Sequence, residues 1–197
     1  MKNMRALIAG VAVLGFIGCA AIAAPAPSET VKPSETKTYG DWTVRCYPVA
    51  SPSPCDMYEL LANKQTNQRV MSVSIAFMPA REQHVIQIAV PLGIYIPKGL
   101  MIESEPYKSG VLPYRRCDRA GCYVERLLDA SAVRALARAT NGVKVKIVAD
   151  NGKVFEIPFS LKGYSDAHGA MVDLARKKVA GATPPAAPTT PAPATPQ

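Results

Sequence analysis

The chain has 197 residues, with 23 Lys and Arg against 15 Asp and Glu, a formal net charge of +8, and 48% hydrophobic residues. This length corresponds to about one domain, and the composition excludes collagen-like, coiled-coil and multi-span membrane proteins. The two ends depart from the rest: residues 1–23 hold two bases and no acid, and residues 180–197 hold six of the 18 prolines and no charge.

Met1-Lys2-Asn3-Met4-Arg5 is a short positive n-region, and Ala6 to Ile22 is apolar apart from its glycines. Ala21-Ile22-Ala23 carries the small-x-small pattern of a signal peptidase site, so residues 1–23 read as a cleavable signal peptide. Two other readings stand beside it: an uncleaved anchor, and a lipoprotein in which Cys19, after Phe16-Ile17-Gly18, carries lipid. Without Lys2 and Arg5 the mature chain keeps 21 bases and 15 acids, a net charge near +6.

Residues 24–38 are Pro, Ser, Thr, Lys and Glu with little to bury, and read as a flexible linker. The body covers residues 39–178, long enough to bury a core without metal. In Trp42-Thr43-Val44-Arg45-Cys46 the alternation places Trp42, Val44 and Cys46 on one strand face. Strand-like runs follow at Met57 to Leu61, Val70 to Phe77, and Val85 to Val90, the last with Ile86, Ile88 and Val90 together. Ile94 to Ile96 and Leu100 to Ile102 flank the Pro97-Lys98-Gly99 turn. Val111 to Cys117 and Cys122 to Leu127 are two further strands. Val143, Val145 and Ile147 alternate with lysines, and Asn151-Gly152 then predicts a type I′ hairpin returning through Val154 to Pro158. Asp129 caps a helix over Ala130 to Thr140, and Ser165 caps another over Asp166 to Lys178. Many short strands with one or two helices predict a mostly-β sandwich. Residues 179–197, a Pro/Ala/Thr-rich tail, read as disordered.

Export changes the reading of the remaining cysteines. Cys46, Cys55, Cys117 and Cys122 are an even set in an oxidising compartment, which predicts disulfides rather than metal ligands or reactive thiols. They fall into local pairs, C-x8-C and C-x4-C, and proximity favours Cys46–Cys55 with Cys117–Cys122. Crossed pairing would close longer loops and constrain the unfolded chain more, so stability does not choose between them.

Candidate chemistry is sparse. There is no G-x-S-x-G elbow, no phosphate-binding GK[ST] loop and no G-x-G-x-x-G fingerprint. His84 and His168 have no ligand-spaced partner and are expected at the surface. No catalytic residue, metal site or cofactor is predicted; an unrecognised hydrolase is the remaining enzymatic alternative. Charge is more suggestive. Between residues 115 and 146 eight bases face three acids, and Arg115, Arg116, Arg119, Arg126, Lys144 and Lys146, with Arg134 and Arg138, would form an anion-attracting face if folded together. The expected partner is an envelope or host surface component of anionic character, not nucleic acid, with a membrane tether only if Cys19 is lipidated.

The ordered set Asp41-Trp42-Thr43-Val44-Arg45-Cys46, Cys55, Val90-Pro91-Leu92-Gly93-Ile94, Lys98-Gly99-Leu100, Cys117-Asp118-Arg119-Ala120-Gly121-Cys122 and Ser160-Leu161-Lys162-Gly163-Tyr164-Ser165 resembles the invasion-associated locus B family of Gram-negative exported proteins. The resemblance spans about residues 39–178. It implies an immunoglobulin-like β-sandwich, a periplasmic or outer-envelope location, and a part in contact with or invasion of host cells without catalysis. A periplasmic housekeeping role unrelated to infection is the alternative. The family supplies no catalytic residues, and the long tail and Cys19 lie outside the shared pattern.

Overall fold

The computed structural model describes residues 31–139 and 142–181. The expected signal peptide, Cys19, residues 24–30 of the expected linker, residues 140 and 141, and residues 182–197 lie outside the described residues. Eleven strands and two helices follow one another: β1 (Glu35–Tyr39), β2 (Trp42–Cys46), β3 (Cys55–Ala62), β4 (Arg69–Met78), β5 (Gln83–Val90), β6 (Leu100–Ser104), β7 (Tyr107–Lys108), β8 (Arg116–Asp118), β9 (Gly121–Leu128), α1 (Ala130–Ala137), β10 (Val143–Val148), β11 (Val154–Phe159) and α2 (Tyr164–Gly181). They form a seven-stranded sheet in the order β1-β2-β3-β4-β5-β9-β8 and a four-stranded sheet in the order β11-β10-β6-β7. The mostly-β sandwich expected from the sequence is the fold observed.

Alternation decides what the large sheet buries. Trp42, Val44 and Cys46 of β2, Met57 of β3, Met71, Val73, Ile75 and Phe77 of β4, Ile86, Ile88 and Val90 of β5, and Val124 of β9 are all buried. The register places Val44 beside Met57, Met57 beside Ile75, Ile75 beside Ile86, and Ile88 beside Val124, so they share one face. α2 packs against β2, β3 and β4 through Tyr164, Ala167, Met171 and Ala175. One apolar cluster joins both sheets and both helices. Trp42 anchors it, with edge-on rings of Phe159 at 6.0 Å and Tyr164 at 5.4 Å.

Several local expectations need correction. Residues 35–38, read as linker, belong to edge strand β1, paired with β2 from Glu35 opposite Cys46 to Tyr39 opposite Trp42. Its side chains are almost all exposed, so no apolar pattern announces it; backbone pairing holds it. Of Val111 to Cys117 only a bridge at Leu112 and residues 116 and 117 are extended, because Pro113 cannot donate to a ladder. The β10–β11 hairpin forms, but with a three-residue loop, Asp150-Asn151-Gly152, in which only Gly152 takes a positive φ. That is the geometry of a type I turn closed by a left-handed glycine, not a type I′ turn. The Asp129 cap is as expected, its carboxylate accepting the Ala132 N–H at 2.7 Å. α2 begins at Tyr164, so Ser165 lies inside the helix and is not its cap.

Both expected disulfides are present, Cys46–Cys55 and Cys117–Cys122. Each bridges directly opposed residues of neighbouring strands. They differ in access: Cys46 and Cys55 are wholly buried, whereas Cys117 is exposed on edge strand β8. A thiolate reductant must reach a sulfur in line. Mild reduction of native protein followed by alkylation and mass mapping is therefore expected to label Cys117 and Cys122 well before Cys46 and Cys55. Simultaneous labelling of all four would contradict this.

Candidate functional site

The bases grouped by sequence do not form one face. Arg115 and Arg116 lie at the β8 edge of the large sheet: Arg115 pairs with Glu125 at 2.9 Å, and Arg116 pairs with Asp118 while its guanidinium lies 3.8 Å from the Tyr123 ring centre. Arg126 takes the opposite register position of β9, opposite Ile86. Lys144 and Lys146 belong to the other sheet and are neutralised across it, Lys144 by Glu156 at 3.0 Å and Lys146 by Glu103 at 2.7 Å and Glu156 at 3.2 Å. Arg119 opens onto a cleft of about 550 Å³ shared with Gln68, Arg69, Pro91, Leu92 and Ala120, and Lys144 onto one of about 230 Å³ shared with Glu103, Ser104, Glu105, Lys108 and Gly142. Among the described residues Arg119 makes no ion pair.

Two polar side chains instead sit on the core face of the large sheet, and these were not expected. Glu59 continues the alternation of Cys55 and Met57 and is 6% exposed. Its two carboxylate oxygens accept the Ser160 N–H at 3.0 and 3.1 Å. The same serine donates its hydroxyl to Asp41 at 2.7 Å, and its carbonyl accepts the Trp42 indole N–H at 2.8 Å. The Asp41-Trp42 and Ser160-Leu161-Lys162 segments are thus tied to each other. Burial pushes the Glu59 carboxyl up to about 7; nearby Asp41 adds to the rise and the Ser160 N–H opposes it.

His84 is likewise buried, 8% exposed, and its Nε2 lies 2.9 Å from Nε2 of His168 on α2. One ring must donate and the other accept, so the neutral pair carries opposite tautomers. Phe77 flanks His84 at 4.9 Å and Tyr164 stacks parallel to His168 at 6.4 Å. Burial drives His84 down to about 4, aided by His168 and opposed by Glu82, and burial also lowers His168. Each Nε2 is occupied by the other, so neither Nε2 is free to take a proton from a nucleophile. A surface position was expected for both histidines. The overlooked signal is parity: His84 precedes Ile86, Ile88 and Val90 at the same two-residue spacing, and His168 adjoins the Tyr164, Ala167, Met171 face of its helix.

Among the described residues no three His, Cys, Asp or Glu side chains gather to hold a metal ion, and no helix is long and apolar enough to cross a membrane. The molecule is a disulfide-stapled β-sandwich whose polar interior ties secondary-structure elements together. The family described as Invasion associated locus B (IalB) protein matches residues 42–172, and the chain belongs to it. It is 26% identical over 167 residues to the Invasion protein B homolog of Brucella abortus strain 2308 and, equally, to that of biovar 1 strain 9-941, covering 85% of this chain and 95% of each relative. The crystal structure of invasion associated protein B from Bartonella henselae is similar with a TM-score of 0.62 at 26% identity, covering 73% of this chain and 99% of that one.

Proposed function

We propose that this chain is an exported, non-catalytic module of the bacterial cell envelope that promotes contact with, or invasion of, host cells by binding a surface component. Family membership carries the reading, since the relatives in Brucella and Bartonella are both named for invasion. Two disulfides support export, because such bridges persist in oxidising compartments. The apolar leader with its Ala21-Ile22-Ala23 site supports the same route. The non-catalytic part is supported by the placement of Glu59, His84 and His168, which belong to interior contacts and line neither the Arg119 cleft nor the Lys144 cleft.

The test is surface labelling of intact cells with a membrane-impermeant amine reagent, paired with host-cell invasion by a deletion strain. The expected result is labelled protein and a drop in internalised bacteria restored by complementation. Protein shielded in intact cells, with invasion unchanged by deletion, would favour the periplasmic housekeeping role.

A further inference from the structure

At one end of the sandwich an apolar groove and a cationic cleft meet. The groove, about 220 Å³, is lined by Val70 of β4, by Ile147, Phe155 and Ile157 of the other sheet, and by the loop from Pro91 to Ile94 between them. The cleft of Arg69 and Arg119 shares Pro91 and Leu92 with it, so the two are continuous across this loop. The loop is held against the β10–β11 hairpin by Asp150 N–H to the Gly93 carbonyl at 3.1 Å and Tyr95 N–H to the Val148 carbonyl at 2.8 Å. That fixed frame presents apolar side chains to water: Leu92 is 58% exposed and Phe155 40%. Cations surround them. The Arg69 guanidinium donates to the Ala120 carbonyl beside Arg119, and the Lys153 ammonium lies 4.9 Å from the Phe155 ring centre. Among the described residues neither the groove nor the cleft has an acid in its lining. Asp118, next to Arg119 in the chain, is paired with Arg116, Glu156, next to Phe155, is paired with Lys144 and Lys146, and Asp150 stands at the hairpin tip.

We infer that this end of the molecule docks on a bilayer surface bearing anionic lipids, with Leu92 and Phe155 entering the interfacial layer while Arg69, Arg119 and Lys153 meet lipid phosphates. The inference rests on the reading of the chain as a surface-binding envelope module and supplies that module's partner. Apolar tips ringed by bases suit a membrane interface, where burial and attraction to anionic headgroups add. Aromatic side chains favour that depth. Chemistry argues against extraction of a single lipid. The apolar groove, about 220 Å³, is smaller than pockets that enclose a ligand, which run from about 300 to 1,000 Å³, and the cleft continuous with it is lined by Gln68, Arg69 and Arg119, which offer an acyl chain no apolar wall.

The experiment is co-sedimentation of the purified exported chain with phosphatidylcholine vesicles, with and without about 30% phosphatidylglycerol. Binding is expected only to the anionic vesicles and is expected to weaken as salt rises from about 0.1 to 1 M. Arg119→Glu should weaken it about tenfold or more, at roughly a factor of five per charge near the surface. Leu92→Ser combined with Phe155→Ser should weaken it about tenfold through lost apolar contact, whereas Arg115→Glu, at the paired edge, should leave it within about twofold. All these side chains are exposed, and an unchanged melting temperature will certify the fold. As an independent readout, Leu92→Trp should show a blue-shifted, brighter emission with anionic vesicles, since the single native tryptophan, Trp42, is buried. Equal binding to both vesicle types, insensitivity to the Leu92/Phe155 double variant, or displacement by inorganic phosphate would overturn the inference. Such a failure would leave export and invasion, tested on cells, untouched.

Discussion

Gly163→Ala is expected to cost the domain about 2–5 kcal/mol and to lower its melting temperature by roughly 5 °C or more. Gly163 has φ +80, and a Cβ there would sit 2.1 Å from the Tyr39 carbonyl oxygen. The partner is equally constrained: Gly40 has φ +58, and a Cβ on it would meet the Lys162 carbonyl oxygen at 2.4 Å. Two backbone segments more than a hundred residues apart therefore cross where neither tolerates a side chain. A left-handed conformation costs an L-residue about 1–2 kcal/mol, and parting two backbones adds a further overpacking cost of about 1–3 kcal/mol. Separation would also strain the Asp41 N–H bond to the Lys162 carbonyl and the Ser160 contacts to Glu59 and Trp42. Gly152→Ala provides the control, because Gly152 also has a positive φ, +83, but open space around it. It should cost about 1–2 kcal/mol. Urea unfolding of the three proteins checks this, and a Gly163→Ala variant no less stable than Gly152→Ala would refute the crossing argument.

Glu59→Gln is expected to become more stabilising as pH rises, by about 3 kcal/mol relative to the native chain between pH 4 and pH 8. The folded Glu59 carboxyl lies at about 7, against an ordinary value of 4.5. Between these values the folded state binds more protons than the unfolded one, so the native contribution is full below pH 4.5 and is lost as pH rises through 7. Gln keeps the shape and an acceptor for the Ser160 N–H without a charge to bury. His84 acts in the opposite sense. Its folded value of about 4 lies below 6.5, so its contribution is full above pH 6.5 and is lost as pH falls towards 4. The two slopes oppose each other from about pH 4.5 to 6.5, and this pair of groups contributes a nearly flat stability profile there. Removing Glu59 unmasks the histidine slope. Chemical denaturation of both proteins across this range measures the difference, in which all other titrations cancel; a difference independent of pH would show that Glu59 is ionised in the folded state without penalty.

These interior groups bear on how the fold keeps the proposed docking end in place. The Glu59–Ser160 contact ties the large sheet to the segment leading into α2, and the His84–His168 contact ties that sheet to α2 itself. The proposed docking end, built on the Pro91–Ile94 loop and the β10–β11 hairpin, instead depends on backbone bonds between those two segments. Acid that protonates the histidine pair is therefore expected to loosen the helix side before it disturbs the proposed membrane-facing end.

Whatever is set by neighbours in the chain was legible in the residues themselves. Alternation named the buried face of β2 and β5, Asp129 announced the start of α1, and cysteines nine and five residues apart found each other because short loops bring them together. Parity could even have placed Glu59 and His84 among buried residues, since a two-residue period assigns a face whatever the side chain. It could not say what they meet. Ser160 lies 101 residues from Glu59, and His168 lies 84 from His84; only the order of strands and the docking of α2 bring them within hydrogen-bond reach. The same holds for charge. The bases from Arg115 to Lys146 are close in sequence, but β8 and β9 join one sheet and β10 the other, and carboxylates on adjoining strands or at the nearby turn neutralise four of the six. A strand's pattern records which side faces water, whereas its partners depend on free energy shared with distant segments, and that is why tertiary structure alone decided where the polar interior and the exposed cations lie.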